Sequence, residues 1–160
     1  SGQVEPKIER VKFGDILKKL DSEFRGNAQA KQLELVIEPS TDIVRTDPNL
    51  LMQALRSLLS NAIRYTENGT VTVRSAREDD VLRIKVCDTG IGIADDQLAD
   101  IFDEFYRVDY DPAGRYAGLG LGLTIVDRIV KLLDVRLNVE SKVGRGSCFS
   151  LSVPAAIETI

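Results

Sequence analysis

The chain has 160 residues, of which 43% are hydrophobic and 29% charged, enough for one soluble domain with a real core and too apolar for a disordered tail. Its net charge of −4 provides no broad attraction to nucleic acid or to an anionic membrane, although a local basic patch stays open. The absence of any histidine excludes histidine acid–base catalysis, histidine metal ligation and the serine–histidine triad.

No apolar run approaches the roughly 20 residues of a membrane span. Ser1 to Arg10 is too polar for a signal peptide, and Ser1-Gly2 reads as a cloning remnant. Cys87 and Cys148 both fall in strand-like runs. Two well-separated cysteines make neither a zinc site nor a disulfide framework, so they read as buried thiols in a reducing cytoplasm.

Phe13 to Lys31 carries Phe13, Ile16, Leu17, Leu20, Phe24 and Ala28 at helical spacing, which predicts a first amphipathic helix. Leu33 to Glu38 alternates as a strand and closes in the turn Pro39-Ser40-Thr41-Asp42, with a short strand through Ile43 to Thr46 beyond it. Asp47-Pro48 is a helix start, Asp47 as N-cap and Pro48 at the first helical position. The helix runs from about Asn49 to Tyr65. Leu51, Leu55, Leu58 and Ala62 form its apolar stripe, flanked by Ala54, Leu59 and Tyr65, with Gln53, Arg56, Ser57, Ser60 and Arg64 opposite. Asn61 lies on the border between the two. It reads either as a ligand- or metal-binding amide reaching a cleft or as an exposed or cap-forming residue near a helix end.

Glu67-Asn68-Gly69 ends the helix, and Thr70 to Arg77 and Val81 to Asp88 form a hairpin turning at Glu78-Asp79-Asp80. In the second strand Leu82, Ile84 and Val86 share one face and Arg83 and Lys85 the other. Asp88 has the parity of the apolar set, so its carboxylate points to the core side, where it needs hydrogen-bond donors. Gly90 and Gly92 follow at once and allow a close approach that a side chain would block. A carboxylate acceptor with open space beside it suits an amino-bearing ring such as adenine.

Ala94-Asp95-Asp96 caps a short helix holding Leu98, Ile101, Phe102 and Phe105. Tyr106 to Ala117 loses all periodicity and reads as a surface loop. Gly118-Leu119-Gly120-Leu121-Gly122-Leu123 then runs into a helix from Thr124 to Leu133; glycines opening a helix leave N–H groups that suit phosphate. Two strands, Arg136 to Glu140 and Ser147 to Val153, flank the turn Val143-Gly144-Arg145-Gly146. The expected fold is an α/β sandwich, one mixed, mostly antiparallel sheet of about five strands covered on one face by three main helices.

The order of these features resembles the catalytic, ATP-binding domain of bacterial sensor histidine kinases, within the group that includes gyrase, heat-shock chaperone and mismatch-repair ATPases. The resemblance runs from about Phe13 to Pro154. Leu51 to Thr66 matches the asparagine box, Asp88 to Ile93 the first glycine box and Ile101-Phe102-Asp103-Glu104-Phe105 the phenylalanine box. Gly118 to Leu123 matches the second glycine box and Gly144-Arg145-Gly146-Ser147 the third. Any one of these is weak; together, in order, they are highly specific.

The resemblance implies a Bergerat ATP-binding fold with ATP and Mg2+ as ligands. Asp88 would accept the adenine amino hydrogen and Asn61 would ligate magnesium through its amide oxygen. Arg64 and Tyr65 would contact phosphate or ribose. Gly90, Gly92 and Ile93 would line the base, with Phe102 and Ser147 in the same site. Gly118, Leu119, Gly120, Leu121 and Gly122 would meet the phosphates, under a lid that carries Arg107 and Arg115. Arg115 reads equally as a solvated loop residue. Two positions depart from the family pattern. Ser57 stands where an Asn is usual and where hydrolysing relatives keep a Glu base, a job for which a hydroxyl is too weak. Leu119 brings no hydroxyl to phosphate.

The implied function is presentation of the γ-phosphate to a histidine on a separate dimerisation and phosphotransfer domain, with a response regulator receiver domain downstream. The parent is then a homodimeric sensor, soluble or membrane-bound, with a hybrid kinase among the candidates and this part of it cytoplasmic. Residues 1–12 would be a linker from the dimerisation hairpin, 13–154 the catalytic domain and 155–160 a tail. The alternatives are a degenerate nucleotide-binding signalling module without phosphoryl transfer and an anti-sigma-type serine kinase.

Overall fold

A computed structural model describes residues 5–93 and 123–156. The short helix expected after Ala94, the loop from Tyr106 to Ala117 and the second glycine run lie outside the described residues. So do the candidates Phe102, Arg107, Arg115, Gly118, Leu119, Gly120, Leu121 and Gly122.

The described chain forms, in order, β1 (Glu9–Lys12), α1 (Phe13–Ala30), β2 (Glu34–Ile37), β3 (Ile43–Thr46), α2 (Pro48–Arg64), β4 (Thr70–Glu78), β5 (Val81–Asp88), α3 (Leu123–Leu133), β6 (Arg136–Lys142) and β7 (Gly146–Pro154). Five strands make one sheet in the order β2-β4-β5-β7-β6. Only β2 and β4 run parallel, and the crossover between them carries α2, as a parallel pair requires. The other three pairings are antiparallel. This is the expected mixed, mostly antiparallel sheet with three helices.

Alternation along the strands separates the two faces. Val71, Val73, Leu82, Ile84, Val86, Leu151 and Val153 are buried, while Arg74 is exposed and Arg83 and Lys85 half-buried. The helices cover the apolar face. Leu51, Leu55, Leu58 and Leu59 of α2 enter the same core as Leu17 and Leu20 of α1 and Leu123 and Val126 of α3. At the start of α2, Asp47 Oδ1 accepts from the N–H groups of Asn49 at 3.0 Å and Leu50 at 3.2 Å, the expected cap. The β4–β5 hairpin turns through Asp79-Asp80, with Asp79 in the left-handed region at φ 55°.

Two features depart from the sequence reading. Glu9–Lys12, inside the stretch read as linker, forms β1 and pairs antiparallel with β3 in a separate two-stranded sheet. Its one apolar residue at the strand's inner parity, Val11, is partly buried against the core, too little periodicity to mark a strand in isolation. Cys87 and Cys148 correct the thiol assignment: they form a disulfide and are half-buried rather than buried. The register of β5 and β7 sets them directly opposite each other, with Cα atoms 4.0 Å apart.

Candidate functional site

The last inward position of β5 is occupied by Asp88, as its parity requires. Its half-buried carboxylate accepts, through Oδ1, the N–H of Gly90 at 2.8 Å and the N–H of Ser147 at 3.3 Å. Among the described residues no donor reaches its second oxygen. Burial pushes the Asp88 carboxyl up to about 6, with the two backbone donors pulling the other way. The result is a desolvated acceptor with one oxygen held by two backbone donors.

The loop after Asp88 is held against its surroundings at several points. Ile91 donates its N–H to the carbonyl of Tyr65 at 3.3 Å, and Gly144 donates to the carbonyl of Ile91 at 2.8 Å. Ile93 donates to Ser141 Oγ at 2.7 Å, and that hydroxyl is also 2.6 Å from Ser147 Oγ and 3.0 Å from the carbonyl of Gly146. A side chain at Gly90 would run into the Tyr65 carbonyl and come within 3.0 Å of Thr66 Oγ1. Gly92 sits at φ +76°, and a side chain there would meet the Lys142 carbonyl. An open cleft of about 600 Å3 is bounded by Asp88, Val139, Ser141, Lys142, Arg145 and Ser147, with Cys87 and Cys148 on its wall.

The end of α2 meets this loop through Tyr65. Asn61, one turn earlier, is half-buried, on the border of the apolar stripe as its position on the helical wheel predicts. Arg64 is exposed. Tyr65 differs: its side chain is only 6% exposed and belongs to the core, so what it brings to the loop is its carbonyl. Among the described residues no cluster of three His, Cys, Asp or Glu side chains could hold a metal ion. No helix among them is long and apolar enough to cross a membrane.

The sequence profile of the histidine kinase-, DNA gyrase B- and HSP90-like ATPases matches residues 46–157, a span that contains Asp47, Asn61, Asp88 and Ser147. The chain belongs to this ATPase family. It is 41% identical over 123 residues to the circadian input-output histidine kinase CikA of Synechococcus elongatus, covering 76% of the chain and 16% of that protein. It is 36% identical over 151 residues to the autoinducer 2 sensor kinase/phosphatase LuxQ of Vibrio parahaemolyticus, covering 89% of the chain and 18% of LuxQ. The sensor histidine kinase RcsC of Escherichia coli is 33% identical over 153 residues, 92% of the chain and 16% of RcsC. The chain therefore spans only 16% to 18% of the length of these relatives.

Among solved structures, full-length ShkA in complex with AMPPNP superposes with a TM-score of 0.85 at 27% identity, over all of this chain (100%) and 34% of that one. The catalytic domain of histidine kinase ThkA superposes at 0.78 over 92% of this chain and 95% of that one; at 20% identity this likeness shows the fold alone. The sheet and three helices are thus those of a histidine kinase catalytic domain.

Within this family fold the structure gathers Asp88, Gly90, Gly92, Ile93 and Ser147 at the shared end of β5 and β7, and brings the end of α2 against them. Sequence reading missed Ser141 and Thr66. Ser141 has the inward parity of Leu137 and Val139 on β6, the same signal that singled out Asp88. Thr66, fully buried, donates its hydroxyl to the Ala62 carbonyl at 2.7 Å beneath Gly90. No local pattern in the sequence distinguishes that position.

Proposed function

We propose that this chain is the Mg-ATP-binding catalytic domain of a two-component sensor histidine kinase, presenting the γ-phosphate of ATP to a histidine on a separate dimerisation domain. The observation that carries the reading is the Asp88 carboxylate, inward at a strand end on the wall of the cleft, with one oxygen held by the Gly90 and Ser147 N–H groups and no donor on the other among the described residues. A purine amino group fits that acceptor, and Gly90 and Gly92 let the loop pack against the Tyr65 and Lys142 carbonyls beside it. The neutral amide oxygen of Asn61 is a hard donor of the kind magnesium takes alongside phosphate oxygens. Magnesium bound there would offset phosphate charge. Arg64, exposed on the same helix, supplies a cation for phosphate or ribose, while the buried side chain of Tyr65 supports the loop. Asn61, Arg107 and Arg115 complete the phosphate-handling set in this reading.

Phosphoryl transfer asks a protein mainly for positioning and charge neutralisation, which a site with few polar groups can provide. The half-buried Ser57 supplies no general base, in keeping with transfer to a protein side chain rather than hydrolysis. The chain contains no histidine, so its acceptor lies on another segment, and the kinase would act with a dimerisation domain and a response regulator. One solved relative, ThkA, was crystallised with the response regulator protein TrrA. In this reading 13–154 is the catalytic domain, 1–12 leads in from the dimerisation hairpin and 155–160 is a tail.

The test is calorimetric titration with Mg-ATP, followed by incubation of the domain with the histidine-bearing hairpin of its parent and γ-labelled ATP. Binding and acid-labile label on the hairpin are expected. Binding without label would leave a nucleotide-sensing module, and no binding would defeat both readings.

A further inference from the structure

The Cys87–Cys148 disulfide lies beside the cleft just described. Cys87 precedes Asp88 and Cys148 follows Ser147, and the two pairs are adjacent rungs of one ladder, Cys87↔Cys148 next to Asp88↔Ser147. Alternation turns Asp88 and Ser147 inward and the two sulfurs to the helix-free face. Both cysteines are half-buried, so a small thiol can reach them without unfolding of the sheet. The cleft of about 600 Å3 is lined by both pairs, by Lys142 and Arg145, and by Glu140, which the β6–β7 register sets opposite Cys148. The 4.0 Å Cα separation arises from strand pairing itself, which brings the residues together whether or not the bond exists.

We propose that Cys87 and Cys148 form a thiol–disulfide exchange site that sets the affinity of the adjacent nucleotide cleft, the disulfide form binding nucleotide more tightly than the dithiol form. The inference rests on the reading of the cleft as a nucleotide site. The exchange partner is a monothiol of the glutathione class. Its thiolate attacks one sulfur, forming a mixed disulfide and releasing the other cysteine as a thiolate, which takes up a proton. A second monothiol cleaves the mixed disulfide. In balance, the protein disulfide and two monothiols give the protein dithiol and one small disulfide, and oxidation runs the same steps in reverse.

The coupling follows from where the bond sits. The β5–β7 ladder ends at Asp88↔Ser147, and the Ser147 N–H reaches Asp88 Oδ1 at 3.3 Å, a long bond that depends on the spacing of these two strands. The disulfide clamps the preceding rung. Without it the terminal rung samples wider spacings, and the nucleotide must restore the arrangement on binding, which lowers affinity.

The experiment equilibrates the chain with oxidised or with reduced glutathione, counts free thiols by alkylation and mass, and titrates each form with Mg-ATP by calorimetry. The dithiol form is expected to bind roughly 3- to 10-fold more weakly, the scale of losing part of a preorganised site. The double variant Cys87→Ser, Cys148→Ser is expected to bind like the dithiol form and to ignore glutathione. Equal affinities of the two forms would overturn the proposal. Two free thiols at every glutathione ratio would also overturn it, as would a glutathione response that survives in the double variant. Absence of Mg-ATP binding in both forms would instead defeat the nucleotide reading on which it rests.

Discussion

At Asp88 a single carboxyl group carries opposing demands, of stability and, in the proposed nucleotide site, of recognition. Its pKa is raised from 3.8 to about 6 by burial, so the folded protein holds a proton that the unfolded chain would release. Folding is therefore unburdened below the unfolded value, stability falls as pH rises from about 4 to about 6, and the loss persists above that range. Asp88→Asn keeps an Oδ1 acceptor for the Gly90 and Ser147 donors and removes the charge. It should be more stable than the parent at pH 7, by about 1–2 kcal/mol, with a flat profile across the same window. Urea melts at pH 4 and pH 7 measure this, and equal stability of the two proteins at pH 7 would show that burial of the carboxylate carries no penalty. Recognition runs the other way. Asp88→Ala is expected to lose about 1.5–3 kcal/mol of ATP affinity, the range for a hydrogen bond to a charged group. Unchanged affinity in calorimetry would remove Asp88 from the site.

Helix α2 and the loop after β5 meet beside the cleft at the Tyr65 carbonyl, and each has one residue that decides its placement. Asp47, only 8% exposed, caps α2 and also accepts the N–H of Lys7 at 2.9 Å, so it ties the segment before β1 to the helix start. Asp47→Ala should destabilise the fold by about 1–2 kcal/mol, the upper part of the range for a lost N-cap, as read by denaturant melts. A cost indistinguishable from zero would mean that solvent replaces the cap. In the loop, Gly90 faces the Tyr65 carbonyl and the Asp88 carboxylate, neither of which can move aside cheaply. Gly90→Ala is expected to push the loop away from α2, costing about 1–3 kcal/mol of stability and weakening nucleotide binding as well. Parent-like melts and parent-like titrations would show the loop to be free of α2.

Across the whole molecule, α2 is the shared wall of the core, contacting α1, α3 and the sheet. Leu58, 2% exposed, lies on its inward stripe. Leu58→Ala should destabilise by about 2–5 kcal/mol through lost burial and the cavity left behind. Leu58 points into the core and carries no polar group, although Asn61 lies one turn further along the same helix, so Mg-ATP affinity of the folded fraction should stay near the parent value. Melts and calorimetry together separate these effects, and a selective loss of affinity at unchanged stability would contradict a purely structural role.

Local chemistry made much of this fold legible in the sequence. The 3.6-residue stripes of α1, α2 and α3, the Asp47-Pro48 start, the existence of the β4–β5 hairpin, though not its two-residue turn, and the inward parity of Asp88 all depend on neighbours within a few positions. They place the Asp88 carboxylate, the Asn61 amide and the glycine loop on their elements without coordinates. Tertiary structure decided the rest because it depends on pairing between distant segments. β1 exists only against β3, the sheet order β2-β4-β5-β7-β6 follows from packing of the helices on one face, and Tyr65 is buried because the whole core closes over it. Cys87 and Cys148 are 61 positions apart, and only the β5–β7 register makes them opposite. That same register sets Ser147 against Asp88, so strand pairing, which no short stretch of sequence encodes, both completes the candidate site and places a disulfide beside it.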